Sequence, residues 1–333
     1  MVLLMIKPPC LLIFISIVFF SCATFPGTGN KSSSIPFFPV EIEGKWGYID
    51  MSGSTVIKPK YDGALGFSDG RALVKRGDKW GYINEWDILV IEPEFEEAHE
   101  FTEGLAVVKQ LERYGFINKL GSIVIEPIYE EALPFSEGLS GIRIDGQWGF
   151  IDNLGEMVIE PQFNRAYSIS DGLALVVIEE KGGYIDRSGN VVIEPKYEWA
   201  EGFSEGIACV MENGRYFYIG NSGNVVLEPE VDEARHFSEG LAAVTEENRQ
   251  GFINRFGSIA IDPRFDKVGD FSEGLASVLI GGKWGYINKM GNLVIEPQFV
   301  TAVKFSDGLA VVEIDRAHWG YIDRQGRLVW KSN

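Results

Sequence analysis

The chain has 333 residues, 48 of them acidic and 30 basic, for a formal charge of −18. A surface this acidic is repelled by nucleic acid and by anionic lipid, and its acids recur at fixed positions of a repeated pattern rather than in one block. Of three cysteines, Cys10 lies in an N-terminal apolar stretch, Cys22 at its end and only Cys209 in the body, so no disulfide framework is available.

Residues 1–21 carry one cation, Lys7, followed by an apolar run from Leu11 to Phe20. That run is shorter than the ~20 residues of a comfortable membrane span, and it reads as an export signal. The ending Phe19-Phe20-Ser21-Cys22 resembles a bacterial lipoprotein cleavage box. The resemblance implies that the Cys22 thiol receives a diacylglycerol and that acyl chains hold the protein on a membrane, with plain secretion or an uncleaved anchor as alternatives. Residues 22–39 are rich in Ser, Gly and Pro and suit a tether. Ala23 and Thr24 after Cys22 favour the outer membrane, on its surface or periplasmic face, over inner-membrane retention.

From residue 40 to 333 the chain repeats itself. Gly47, Gly81, Gly115, Gly149, Gly183, Gly251 and Gly285 each precede Tyr or Phe and then Ile, 34 residues apart or a multiple of it; Phe217 takes the slot once, and Gly320 arrives one residue late. Pro59, Pro93, Pro127, Pro161, Pro195, Pro229, Pro263 and Pro297 keep the same beat. This period could belong to helix pairs. However, Gly or Pro interrupts the chain at least once in about a dozen residues, and the runs between are β-branched and aromatic.

Each unit therefore reads as a three-stranded meander. A strand such as Leu173–Val177 turns at a pair such as Asp145-Gly146 or Asn213-Gly214 into a "WGYI" strand. A second turn, closed by a glycine such as Gly155, leads into "VVIEP", where proline is expected to end the third strand. The following "xYxxAxxFSEG" reads as a connection to the next unit. Nine such units predict an all-β fold, stacked as an open superhelical β-array. A closed β-propeller is the alternative, though rings usually have four to eight blades and often split one between the termini.

The "KWGYI" core, "VIEP" and "FSEG" together resemble the WG repeat, or KWG repeat, family. That resemblance implies a binding or scaffolding protein of bacterial surfaces and envelopes. Trp46, Trp80, Trp148, Trp284 and Trp319 hold the tryptophan position, replaced by Tyr114, Gly182, Tyr216 and Gln250 in other units. These five are candidate binding residues, as stacking faces for a glycan, and also natural fillers over the strand glycine. Trp86, Trp199 and Arg235 stand outside the template.

No GxSxG, HExxH, Walker or CxxC pattern occurs, and His99, His236 and His318 occupy different template positions, as solvated loop residues would. The turn acids Asp69, Glu103, Glu137, Asp171, Glu205, Glu239, Glu273 and Asp307 would line an open array. The expectation is a non-enzymatic, monomeric, lipid-anchored envelope scaffold for a protein or glycan, with no cofactor or metal and no nucleic-acid partner. A structural spacer without a ligand is the alternative, and a cell-wall glycan enzyme a more distant one.

Overall fold

The computed structural model describes residues 36–333. Residues 1–35, on which the expected export signal, Cys22 and most of the expected tether fall, lie outside the described residues. Among these residues there is no helix, and the strands form nine antiparallel sheets, the first with three strands and the rest with four.

The fourth blade shows how the template folds. Its strands are Glu131–Ala132, Leu139–Ile144, Gln147–Asp152 and Met157–Phe163, paired in that order. Asp145 and Gly146 both take positive φ, as a two-residue hairpin joining the second and third strands requires. Two features depart from the expected meander. The connection contains a two-residue strand, with Glu131 opposite Arg143 and Ala132 opposite Ile142, so the unit has four strands. The last strand also continues through Pro161 to Phe163, because the pairing skips two residues there: Trp148 faces Phe163 while Phe150 faces Ile159. Proline, lacking an N–H, is tolerated in such a bulge. The bulge lies directly over Gly149, where a Cβ would stand 2.4 Å from the Ile159 carbonyl oxygen and 2.7 Å from the Pro161 nitrogen. The recurrence of that glycine in the pattern is a matter of backbone contact.

Neighbouring blades bury their cores against each other. One cluster joins Phe150, Ile159 and Phe163 of blade four to Ala166, Ile169 and Val176 of blade five. Large apolar side chains buried in this way contribute about 1.5–3 kcal/mol each before entropy is subtracted. Four polar or aromatic relations repeat around the ring. Tyr184 stacks edge-on against Phe203 at 4.9 Å, and its hydroxyl donates to the Glu201 carbonyl at 2.6 Å. The hydroxyl of Ser170 donates to the Phe203 carbonyl at 2.7 Å. The Asp171 carboxylate accepts the Gly206 N–H at 2.7 Å.

The last blade meets the first. Phe38, Val40 and Ile49 share a buried cluster with Leu309 and Tyr321, and Trp46 stacks on Trp319 with centroids 6.2 Å apart. Gly53 lies against Val329 as Gly155 lies against Ile125. The repeats therefore close into a nine-bladed β-propeller, and the open array is not formed. Closure is by face-to-face packing of whole blades, a route that needs no blade split between the termini.

Two ends of the ring can be distinguished by strand direction. Leu139 faces Asp152 and Ile144 faces Gln147, so the "FSEG" turns and the turns after "WGYID" share one end. The Asp145-type hairpins and the connections between blades share the other.

Candidate functional site

The five tryptophans of the template do not form a row of free faces. Trp148 is buried in the blade-four cluster; Trp46, Trp80, Trp284 and Trp319 are half-buried against the clusters of their own interblade junctions. Each of the first four faces the aromatic of the last strand, Tyr61, Phe95, Phe163 or Phe299. Cys209 is fully buried, and burial pushes its thiol well above the usual range, as befits a small core residue.

The turn acids form a ring of hydrogen bonds instead of a line of free carboxylates. Asp69 accepts from Gly104, Glu137 from Gly172, Glu205 from Gly240 and Glu239 from Gly274, each in the next blade. All eight acids sit at φ near +50°, the first position of a tight hairpin.

Two histidines differ from the solvated loop residues expected of them: burial holds the His99 imidazole below its ordinary pKa, and His236 is flanked by carboxylates. His236 of blade seven stands with Nδ1 3.2 Å from Glu201 of blade six and Nε2 3.4 Å from Asp270 of blade eight. Arg235 beside it approaches Asp270 at 3.5 Å and donates to the Val268 carbonyl at 2.9 Å. Hydrogen bonding to Asp270 and Glu201 raises the imidazole pKa to about 10, against the opposing effect of burial. Burial would raise the Asp270 carboxyl, but His236 and Arg235 hold it below its usual range. One side chain thus clamps three consecutive blades. His318 bonds Asp315 at 2.7 Å within its own hairpin. Among the described residues no group of three or more His, Cys, Asp or Glu is arranged to hold a metal ion.

The template breaks most deeply in blade six. Phe217 occupies the slot where the other blades have glycine, and there a Cβ would collide with the last strand. The last strand accordingly shrinks to Val225–Leu227, and its pairing stops at Tyr218 opposite Leu227. Val231 replaces the aromatic that would have faced Tyr216. Tyr216 turns to Trp199 instead, edge-on at 5.8 Å.

The displaced strand leaves a cleft of about 670 Å³ between blades six and seven, lined by Arg215, Tyr216, Pro229, Val231, Glu247 and Arg249 among others. It opens at the end of the Asp145-type hairpins. Its arginines are already engaged, Arg215 with Glu228 at 2.5 Å and Arg249 with Asp266. The carboxylates of Glu230, Asp232, Glu246 and Glu247 outnumber them along the walls. The sequence displayed Phe217 as an exception to the glycine beat, but its consequence depends on the close backbone approach that only the fold reveals.

The comparisons with known proteins agree with this architecture. Eight segments match a model described as the WG containing repeat, at residues 46–80, 80–113, 114–148, 148–181, 183–216, 216–249, 251–284 and 284–316. A search of curated proteins finds no match. Among solved structures, the crystal structure of a eukaryotic initiation factor is similar at 9% identity, covering 90% of this chain and 96% of that one, with a TM-score of 0.65. Weaker likenesses include BamB from Moraxella catarrhalis, at 10% identity, 79% and 94% coverage and a TM-score of 0.44. The dihydro-heme d1 dehydrogenase NirN is another, at 12% identity, 93% and 76% coverage and a TM-score of 0.47. At such identities the first likeness speaks for the fold alone. Matched by the repeat model over most of its length and built as a ring of those repeats, the chain belongs to the WG containing repeat family.

Proposed function

We propose that this protein is a non-enzymatic binding scaffold of the cell envelope, held on the outer membrane by lipid on Cys22. It presents the blade-six cleft to a partner. The observation that carries this reading is the cleft itself: Phe217, Val231, Tyr216 and Trp199 leave the template together in blade six, and the groove there, about 670 Å³, is larger than the equivalent groove of about 410 Å³ between blades three and four. The excess of carboxylates over arginines along the walls suits a basic segment of a protein better than a neutral glycan. The export signal and the tether of residues 22–39 support the envelope location. A passive spacer has less to recommend it, since a closed ring spans only its own height and cannot lengthen as an open array could.

The test restores the template. Full-length protein and the Phe217→Gly/Val231→Tyr variant are compared on arrays of lysine- and arginine-rich peptides and of glycans. The wild-type chain is expected to retain basic peptides in a salt-sensitive manner, and the variant to lose at least tenfold in affinity. Equal retention by both chains, or no retention by the wild type, sinks the cleft as the binding site.

A further inference from the structure

The turns that follow "WGYID" carry, at their tips, large apolar side chains that pack on nothing. Trp86 is 74% exposed, Leu120 80%, Leu154 71%, Phe256 90% and Met290 76%. They occupy one template position on blades two, three, four, seven and eight, so the rotational repeat of the ring sets them at one height, around one end. Blades one, five and six place Ser52, Ser188 and Ser222 at the same position, which shows that the turn itself asks for no apolar residue there. Each turn is built by polar groups: the Asn118 carboxamide oxygen accepts from the Leu120 and Ser122 N–H groups, and Asn254 does the same for Phe256 and Ser258.

We propose that this end of the ring docks on the zwitterionic surface of the bilayer that carries the Cys22 lipid, with these five side chains entering the interface; the proposal rests on the lipid-anchored reading above. Three observations converge on a bilayer.

The first is where the chain enters. The first strand, Phe38–Ile42, has Phe38 opposite Ile49, so the tether reaches the ring at the same end as the tips. Residues 22–36 can span at most roughly 50 Å, which holds that end within reach of the membrane. The second is spread. The tips stand on separate blades, and exposed apolar residues just after them, Ile88, Ile123, Ile259 and Leu293, extend the apolar rim at the same end, so this surface is distributed around the ring and not gathered into the central core that a protein interface uses. Separate apolar projections suit a soft, laterally uniform phase, into which Trp and the aliphatic side chains partition.

The third is local charge. On three of the five blades the residue before the tip is a cation that pairs with a turn acid: Lys119 with Asp69 at 2.6 Å, Arg255 with Glu205 at 2.7 Å and Lys289 with Glu239 at 3.1 Å. The carboxylates beside those tips are thus neutralised within the protein, which lowers the cost of bringing them to a lipid surface. The cleft of blade six then faces away from the bilayer, at the opposite end.

Trp86 is a built-in reporter. Full-length protein is reconstituted into phosphatidylcholine vesicles with and without brominated acyl chains, alongside a Trp86→Ser chain. A third chain, Leu120→Ser/Leu154→Ser/Phe256→Ser/Met290→Ser, keeps the reporter and uses the residue other blades carry natively. Thermal unfolding of each chain checks that the ring is intact, and the mass of the peptide beginning at Cys22 reports acylation independently. Brominated lipid is expected to quench the wild-type fluorescence. The quenched component should be absent in Trp86→Ser and fall at least fivefold in the four-serine chain. Unquenched wild-type protein that nevertheless floats with the vesicles overturns docking and leaves the anchor standing. Undiminished quenching in the four-serine chain also overturns it. Quenching with an unmodified Cys22 supports docking and removes the lipid anchor.

Discussion

Tyr321 of the last blade donates its hydroxyl proton to the carbonyl of Pro39 in the first, across 3.0 Å and 282 residues of chain. Tyr48 makes a related contact with the Leu73 carbonyl one blade on, at 3.4 Å, so the closing junction reuses a contact made inside the ring. Phe38, Trp319 and Trp330 surround the Tyr321 ring, and Trp46 stacks on Trp319 from the first blade. If the ring is closed in solution, Trp319→Ala removes packing from both blades and should cost about 2–3 kcal/mol. In an array left open at this junction only its packing on Tyr321 and Trp330 of the same blade would be lost, and the cost should fall to about 1 kcal/mol. Urea unfolding of the two chains, with Trp284→Ala as an interior reference, decides between these values.

The glycine of the "WGYI" strand sets a second expectation. Gly149→Ala places a methyl 2.4 Å from a backbone oxygen, with no flexible side chain to yield. The last strand must lift, as it has in blade six, and the cost should exceed about 2 kcal/mol. Limited proteolysis should then cut the connection after Phe163, which stays resistant in the parent. A variant as stable and as resistant as the parent would mean that the bulge over Gly149 is not held as described.

These two residues also show what could be read from the sequence. The beat of glycine and proline marked every blade, and Asp145-Gly146 marked its hairpin, because positive φ leaves a local signature. Closure left none. It depends on a small rotation per unit that no residue encodes, and on contacts between Pro39 and Tyr321 that lie far apart in sequence. The two-residue strand Glu131–Ala132 was equally silent, being too short for alternation to register. Phe217 was visible as an exception, yet its meaning follows from a backbone distance. The projecting Trp86 was noticed as off-template, while Leu120, Leu154, Phe256 and Met290 sat in turns where single apolar residues attract no attention.

Hairpin strain gives a stabilising prediction. At the second position of the turn that joins the middle strands, Gly146, Gly214 and Gly282 have φ of 78°, 73° and 80°, whereas blade five places Glu180 there at 65°. A carboxylate side chain gains nothing from that conformation, which costs an L-residue about 1 kcal/mol. Part of the gain from glycine is returned as entropy of the unfolded chain. Glu180→Gly should therefore raise stability by about 0.5 kcal/mol, measured as a shift of the urea midpoint with the slope unchanged. A loss of stability would show that Glu180 makes a contact worth more than its strain.

His236 ties stability to pH. Its pKa is about 10 in the folded ring, because the carboxylates of Asp270 and Glu201 flank it; Arg235 and Lys304 act on Asp270, helping to hold that carboxyl ionised. In the unfolded chain it returns to about 6.5. A folded-state pKa above the unfolded one means that the native protein binds the proton more tightly, so this stabilisation is complete below pH 6.5. It falls away as pH rises towards 10. Asp270 runs the other way: its lowered pKa contributes above the ordinary carboxylate range and is lost as pH falls through the folded value. Between pH 7 and 8 the histidine acts above the range in which His99, whose folded pKa is lowered by burial, opposes it, and before Cys209 or the tyrosines ionise appreciably in the unfolded chain. Over that window the parent should lose stability steadily, and the His236→Gln variant should be flatter. Asp270→Asn should bring the imidazole titration, followed by NMR, down towards neutrality. A His236 that titrates near 6.5 in the parent would show that the ion pairs across blades six, seven and eight do not form.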